Sequence, residues 1–473
     1  MSHQHNFYAD TLVWHKNSRC VHYISWKAFY MDMKYIVFMG GLFVLVPVGI
    51  FVTSYSRRMR EIVFVSLIVC TSFIDRIDIN FLDRWWYRGT TRGIEISFVD
   101  FFVLMLICST VASTYRERSR LYWPASLGLM LLFLAYCSFG VAISEARLFG
   151  MFELSKMLRG LLAFLAVAFY VRSERDLYVF ILAFSAVLVC QGCLALMQRY
   201  FMGMMRVRGS FIHPSALSNY CCLLAPLLLS VSLGRIRPII QWFCALAWAL
   251  ACVATILSIT RMAIVAFMIA SGGVLCSALG THLNTRKMAL VLVCGVVGAG
   301  LVIRGYDKMV ARHIAMTAAE EAGDASAGRK VYYLEALDMP RGKPLGVGLN
   351  NWSWWLSAEK GHPYDSTEER GYGQREVMAH SAFALTMGEL GWPGFFIFLA
   401  LWLQWLLLSG RFLFVRTLDL TSSSLRGCFF AIVAAFLSAL TEHNFRGQLF
   451  FIVFNIMLGF MVSVRRIRVQ STD

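Results

Sequence analysis

Apolar runs long enough to cross a bilayer recur along nearly the whole chain, and the short polar clusters between them are rich in arginine. A helix of about 17 to 25 apolar residues spans the hydrocarbon while satisfying its own backbone hydrogen bonds. On that pattern about thirteen helices are expected, near 35–55, 60–75, 97–113, 122–143, 156–171, 177–197, 217–233, 239–259, 262–280, 287–303, 394–409, 426–441 and 447–463. The fold class expected is all-α, a polytopic membrane bundle of about 12–13 transmembrane helices. Five regions follow: a polar N-terminal segment (1–34), a bundle of about ten helices (35–303), a large and mostly helical extracytoplasmic loop or half-domain (304–393), the C-terminal transmembrane helices (394–463) and a basic cytoplasmic tail (464–473).

Composition agrees with the pattern. Of 473 residues 58% are hydrophobic and the mean hydropathy is +0.62, which excludes an ordinary soluble domain. The first 34 residues hold no short apolar stretch followed by a small-residue cleavage site, so no removable signal peptide is expected and the first span serves as the membrane signal. Most of the 13 cysteines sit inside apolar runs, where a thiol behaves as a small hydrophobe. The CQGC stretch at Cys190–Cys193 has no second pair nearby and is read as packing, not metal or redox chemistry.

A net charge of +16 could suggest nucleic acid, yet the cations are dispersed at span ends, as membrane topology produces. No nucleic acid partner is expected. RRMR at 57–60, YRERSR at 115–120, RSERD at 172–176, GRIR at 234–237, TRK at 285–287, the 411–426 loop and RRIR at 465–468 share one face if the spans alternate. That face is the cytoplasmic one by the positive-inside rule. The segments 76–94, 144–155, 198–216, the turn near 261, 304–393 and 442–446 are then outside.

Arginines on the outside depart from that rule, and an anionic ligand would account for them. Arg84, Arg88 and Arg92 lie in DRWWYRGTTRGIEIS, Arg206 and Arg208 in RVRGSFIHPSALSNY, Arg261 in LSITRMAIVAF, and Arg446 in TEHNFRGQLFF. Arg261 is the only charge between Arg237 and Arg286, with no Gly or Pro beside it to announce a turn. Such a group is costly at membrane depth unless it faces a partner or a wet cavity, or snorkels to the interface. The segment 304–379 is nearly balanced, with ten Lys/Arg against eleven Asp/Glu, and so is no polybasic patch. MVARHIAMTAAEEA and GRKVYYLEALDM, which holds Arg329, have helical composition, while PRGKPLGVGLNNWSWW supplies turn signals followed by an aromatic cluster.

HSAFALTMGELGWPG, residues 380–394, closes that loop. In one continuous helix His380 and Gly391 would lie on a single stripe about three turns apart, the glycine allowing close packing below the imidazole and Pro393 bending the chain into the span. His380 then either anchors an interfacial helix or does chemistry.

His380-Ser381, nine residues, and Gly391-Trp-Pro-Gly394 resemble the H-[N/S/Q]-x9-G-x-x-G signature of the O-antigen ligase and O-antigen polymerase superfamily. RVRGSFIHPSALSNY, with Arg208, Gly209 and Pro214, is similar to that family's R-G-x-[F/T]-x-[H/N]-P segment. SITRMA is similar to its S-x-[S/T]-R-x-[A/G] segment, and PLGVGLNNW to its PLxGxG loop with Trp352 at the aromatic position. The four occur in the family's order across about residues 200–410. The resemblance implies a metal-independent, inverting glycan transfer at the outer face of the bacterial cytoplasmic membrane. The donor would be a polyprenyl-pyrophosphate-linked (undecaprenyl-type) glycan and the acceptor a lipid A-core sugar or another polyprenyl-linked chain. It also carries the catalytic roles onto Arg208, Arg261 and His380, with no cofactor. Arg88, Arg92, Arg206, Arg329 and Arg446 remain as candidates for substrate contact, and other polysaccharide-assembly proteins as partners.

The chemistry stands without the name. A guanidinium holds two phosphate oxygens and keeps its proton, so two of them could replace a metal as the leaving pyrophosphate gains charge. An imidazole can take the acceptor hydroxyl's proton near neutral pH, or merely orient it. Acidic pairs near these arginines reduce to Asp75-Arg-Ile-Asp78, so no metal site is expected. Two other classes compete: a secondary transporter, disfavoured by the missing internal repeat and few deep acids, and a catalytically silent scaffold of a polysaccharide-assembly complex.

Overall fold

The computed structural model describes residues 35–118, 122–279, 329–364, 377–413, 415 and 417–470. Two units separate at Gly49 and Ile50. In the first, the described residues are helical and include a π-turn at Gly41–Leu45. Apart from the bounds of α1, everything below concerns residues 50–473.

The helices are α1 (Tyr35–Tyr55), α2 (Arg57–Thr71), the single turn α3 (Ile74–Ile77), α4 (Phe98–Arg116), α5 (Leu127–Ile143), α6 (Arg147–Tyr170), α7 (Glu174–Tyr200), α8 (Pro214–Ser232), α9 (Pro238–Leu257), α10 (Arg261–Leu279), α11 (Arg329–Gly342), α12 (Trp352–Glu359), α13 (Ala382–Gly410), α14 (Leu420–Thr441) and α15 (Gln448–Gln470). Among the described residues nine are long and apolar enough to cross a membrane. The protein is a polytopic, all-α membrane protein. Twelve of the expected spans coincide with described helices, and the thirteenth, 287–303, lies outside the described residues together with MVARHIAMTAAEEA.

Local chemistry starts these helices where the sequence permits it. Ser97 with Asp100 and Ser173 with Asp176 form capping boxes at α4 and α7, each satisfying two otherwise orphaned donors. Asp100 also takes two hydrogen bonds from Arg159 (2.8 and 2.7 Å), which ties α4 to α6. The most enclosed helices are α8 and α15; α8 packs on α9, α10 and α14, and α15 on α6.

Several expectations need correction. The outside segment 144–155 is not a loop, because α6 begins at Arg147. Glu153 and Lys156 break the apolar run that hydropathy detects, but they are buried and paired with each other (2.7 Å). The 76–94 segment is not wholly irregular, since Ile79–Phe81 (β1) and Ile94–Ile96 (β2) pair as an antiparallel hairpin in register Asn80 to Glu95. The aromatic cluster WSWW that follows the turn lies in α12. Residues 464–470 of the expected basic tail continue α15, which runs to Gln470.

Contacts between chain ends sort the loops into two sets. At one end Arg57 meets Asp176 (3.5 Å), Arg175 meets Glu61 (2.7 Å), Arg468 meets Asp419 (2.7 Å) and the Arg235 amide donates to the Leu418 carbonyl (2.6 Å). Four of the arginine clusters, 57–60, 172–176, 234–237 and 465–468, supply these contacts. The candidate site occupies the other end.

Candidate active site

The loop that carries Arg208 is gripped from below by two glutamines of α7. Gln198 accepts from the amides of Arg208 (3.0 Å) and Gly209 (2.9 Å) and donates to the Gly209 carbonyl (2.7 Å). Gln191 accepts from the Ser210 amide (3.0 Å) and donates to its hydroxyl (2.6 Å), which in turn donates to the Ser72 carbonyl. Both glutamines are buried while the Arg208 side chain is exposed, so the backbone is held and the guanidinium projects. Gly209 sits at φ +60, and a Cβ there would meet Gln191 Oε1 at 2.4 Å. Pro214 follows as the first residue of α8, where its missing amide proton costs nothing. Gln191 is the centre of CQGC; Cys190 and Cys193 themselves are exposed, so the stretch is not cysteine packing but a glutamine clamp.

Arg261 opens α10, directly after a turn in which Ile259, a β-branched residue, is forced to φ +55. This turn binds the Arg208 loop. The Val207 amide donates to the Leu257 carbonyl (3.3 Å), and Arg206 Nε donates to the Ser258 carbonyl (3.2 Å). Arg206 therefore links the two loops, and Arg208 and Arg261 each lie within three residues of that junction. Arg261 is half-buried.

His380 lies just before α13, not within it. Ser381 is the N-cap, accepting from the Ala384 amide (3.3 Å), so the shared helical stripe of His380 and Gly391 does not exist. The helix also breaks at Gly391 (φ 63, ψ −167) and not at Pro393 alone, a conformation open essentially only to glycine. What Gly391 approaches is not the imidazole but the PLGVGLNNW loop: a Cβ would meet the Pro344 carbonyl oxygen at 2.0 Å. The Trp392 amide donates to that carbonyl (3.1 Å), and the amides of Val347 and Gly348 donate to the carbonyls of Gly388 (3.1 Å) and Glu389 (2.8 Å). Gly394 is crowded by Leu390 and Tyr136, whose hydroxyl donates to the Leu390 carbonyl (3.0 Å) freed by the break.

Asn350, fully buried at φ +55, joins this loop to the rest of the site. Its amide donates to Glu389 (2.8 Å), its side chain donates to the carbonyls of Thr91 and Phe149 (2.9 Å each) and accepts from Thr90 (2.9 Å), and its carbonyl accepts from the Tyr87 hydroxyl. Burial holds the Tyr87 phenol well above its ordinary pKa, so it stays a donor. Arg88 and Arg92 flank this segment and are half-buried. The Arg88 amide donates to the Tyr364 hydroxyl (3.2 Å), and Arg92 Nη1 donates to the Trp85 carbonyl (3.3 Å).

Below the hub lies a buried ionic cluster. Arg446, 4% exposed, donates to Glu153 (3.0 Å) and Glu389 (2.5 Å), and Lys156 donates to Glu153, to Thr91 (2.8 Å) and to the Arg446 carbonyl. Burial opposes the Arg446 charge, but the two carboxylates outweigh it and raise the pKa above the usual guanidinium value. The charges of the four side chains balance. Arg446 is thus committed to Glu153 and Glu389, in a position unlike the exposed Arg208.

A cavity of about 460 Å³ lies among these pieces, within the ~300–1,000 Å³ usual for small-molecule sites. It is lined by Ile212, His213 and Ser215 after Arg208, by Asp78, Thr91 and Glu95 of the hairpin region, by Lys156, and by Gly447 and Gln448 after Arg446. Gln448 donates to Asp78, and the imidazole of His443 stands 5.2 Å, centre to centre, from that of His380. The Arg208 loop is thus tied to Ser72 at the end of α2, Asp78 to Gln448 at the start of α15, and the 3-10 turn His443–Arg446 stands against His380 through His443. Arg208, Arg261 and His380 share one end of the bundle. Arg329 is the first residue of α11, and its side chain lies outside the described residues.

Sequence reading missed Gln191, Gln198, Asn350, Glu153, Lys156 and Glu389. The signals present were polar side chains inside apolar runs and the i, i+3 pair Glu153/Lys156.

Residues 245–399 match a family model described as O-antigen ligase. The match runs from α9 into α13 and takes in Arg261, the Asn350 loop and His380 through Gly394. No curated protein matches the chain. Over residues 245–399, which take in the Arg261, Asn350 and His380 segments, the chain is therefore similar to the O-antigen ligase family.

Proposed function

We propose that the protein transfers a glycan from a polyprenyl-pyrophosphate donor to a hydroxyl of a lipid-anchored glycan acceptor at the extracytoplasmic face of the cytoplasmic membrane. The observation that carries this reading is the hydrogen-bonded junction of the Arg208 and Arg261 loops, at the end of the bundle that also presents His380. Two guanidiniums projecting from rigidly held backbone suit a pyrophosphate, whose oxygens each can grip in pairs. In the reaction the acceptor oxygen attacks the anomeric carbon from the face opposite the leaving group. The carbon–oxygen bond to phosphate breaks, its electron pair leaves with the polyprenyl pyrophosphate, and His380 takes the hydroxyl proton. The configuration inverts. The arginine clusters gathered at the opposite end of the bundle support a site outside the cytoplasm.

The test is turnover of a lipid-linked oligosaccharide by purified protein. Transfer continues in EDTA, and His380→Ala lowers turnover by about 10²- to 10⁴-fold while donor binding persists. Loss of transfer in EDTA with rescue by Mg²⁺ overturns the metal-free mechanism. Movement of donor without a new glycosidic bond favours the transporter, and neither activity favours the scaffold.

A further inference from the structure

We propose that His380, Glu442 and His443 form an inhibitory site for a zinc-type divalent ion. One ligand atom from each residue lies within 4.8 Å of the other two, and all three side chains are only partly buried. Two imidazoles on one tetrahedral zinc, with metal–nitrogen bonds of about 2.05 Å, place their ring centres about 5.2 Å apart. The rings of His380 and His443 are 5.2 Å apart and inclined by 58°. Ligand atoms on such an ion are about 3.3 Å from one another, so closing the site asks only side-chain rotation of the carboxylate and rings.

The backbone that carries the three groups is held from several sides. Ser381 caps α13 immediately after His380, and the Glu442 amide donates to the Ser438 carbonyl (2.9 Å) at the end of α14. Arg446 anchors the 3-10 turn through its two buried carboxylates, and the Tyr333 hydroxyl of α11 donates to the Leu440 carbonyl (2.6 Å) beside Glu442. Two imidazoles and one carboxylate select zinc or its neighbours in the first transition row over Mg²⁺ or Ca²⁺, which want oxygen ligands. A metal held there occupies the lone pair with which His380 accepts a proton, so the occupied enzyme is silent and the metal-free enzyme active. That consequence rests on the proposed role of His380, whereas binding itself does not.

The experiment uses the full chain purified without a polyhistidine tag, with His3 and His5 replaced by alanine throughout to remove their local pair. Co²⁺ is titrated as a spectroscopic probe, followed by its visible d–d absorption and displaced by Zn²⁺. One equivalent binds with tetrahedral intensity, and His443→Ala and the shape-preserving Glu442→Gln each weaken binding at least about tenfold. In the transfer assay Zn²⁺ inhibits the unsubstituted enzyme, EDTA reverses it, and His443→Ala is no longer inhibited at the same Zn²⁺ concentration. Absence of a tetrahedral Co²⁺ spectrum, or binding unchanged in both variants, overturns the site even if transfer is demonstrated. Tight binding in a protein that transfers no glycan keeps the site and removes only its inhibitory meaning. Zn²⁺ that restores activity after EDTA shows the ion to be an activator and refutes the proposal.

Discussion

Gln198 should matter to catalysis although it can touch no substrate. It makes three hydrogen bonds to the backbone of Arg208 and Gly209 and is 7% exposed. Each such bond contributes about 1 kcal/mol net, so Gln198→Ala releases the loop by about 3 kcal/mol. If that free energy holds Arg208 in its working position, the loss in turnover is somewhat over about 100-fold. Gln191 still holds Ser210 by two bonds, which keeps the loop attached and the fold intact. Gln198→Glu keeps the acceptor for both amides but loses the bond to the Gly209 carbonyl and sets a carboxylate oxygen against it, and should cost about tenfold. The assay is single-turnover transfer at saturating donor, with thermal unfolding measured in parallel. The decisive comparison is a cycle with Arg208→Ala: if Gln198 acts by placing Arg208, its removal adds almost nothing once Arg208 is gone. Full activity in Gln198→Ala, or losses that simply add in the double variant, refutes the reasoning.

Arg261→Lys keeps the charge but not the two-pronged grip, and should lose most of what Arg261→Ala loses in donor affinity and turnover; an arginine that merely snorkels predicts near-unchanged activity in the lysine variant. Gly391→Ala forces a side chain into a glycine-only conformation and against the Pro344 carbonyl, a cost of about 3 kcal/mol or more, seen as a lower unfolding temperature and lost transfer. Arg446→Ala leaves Glu153 and Glu389 buried without their cation and should destabilise by about 3–5 kcal/mol, whereas a substrate-contact role predicts a stable protein that binds donor poorly.

Much of the architecture was legible because a bilayer allows so few solutions. A segment that crosses it must be a helix of nearly constant length, so apolar runs alone mark α4, α7, α8, α9 and α10 to within a few residues. Span count and arginine placement likewise separate the two ends, and the four motifs mark Arg208, Arg261 and His380 as residues of interest. Hydropathy is blind where charge is cancelled by a distant partner. α6 starts nine residues before its expected boundary because Glu153 is buried between Lys156, one turn on, and Arg446, nearly 300 positions away. The helical stripe drawn through His380 and Gly391 failed for a related reason: local periodicity cannot show that the Pro344–Gly348 loop takes over the hydrogen bonds that a broken helix gives up. Sequence thus determined that this is a many-helix membrane protein and which side chains are candidates for reactive chemistry, since both depend on residue type and near neighbours. Only the tertiary structure decided that Gln191 and Gln198 hold the Arg208 loop, that Asn350 joins the site's pieces, and that His443 stands beside His380. Those pairings are set by long-range packing, in which the free energy of burying a polar group depends on a partner the local chain does not contain.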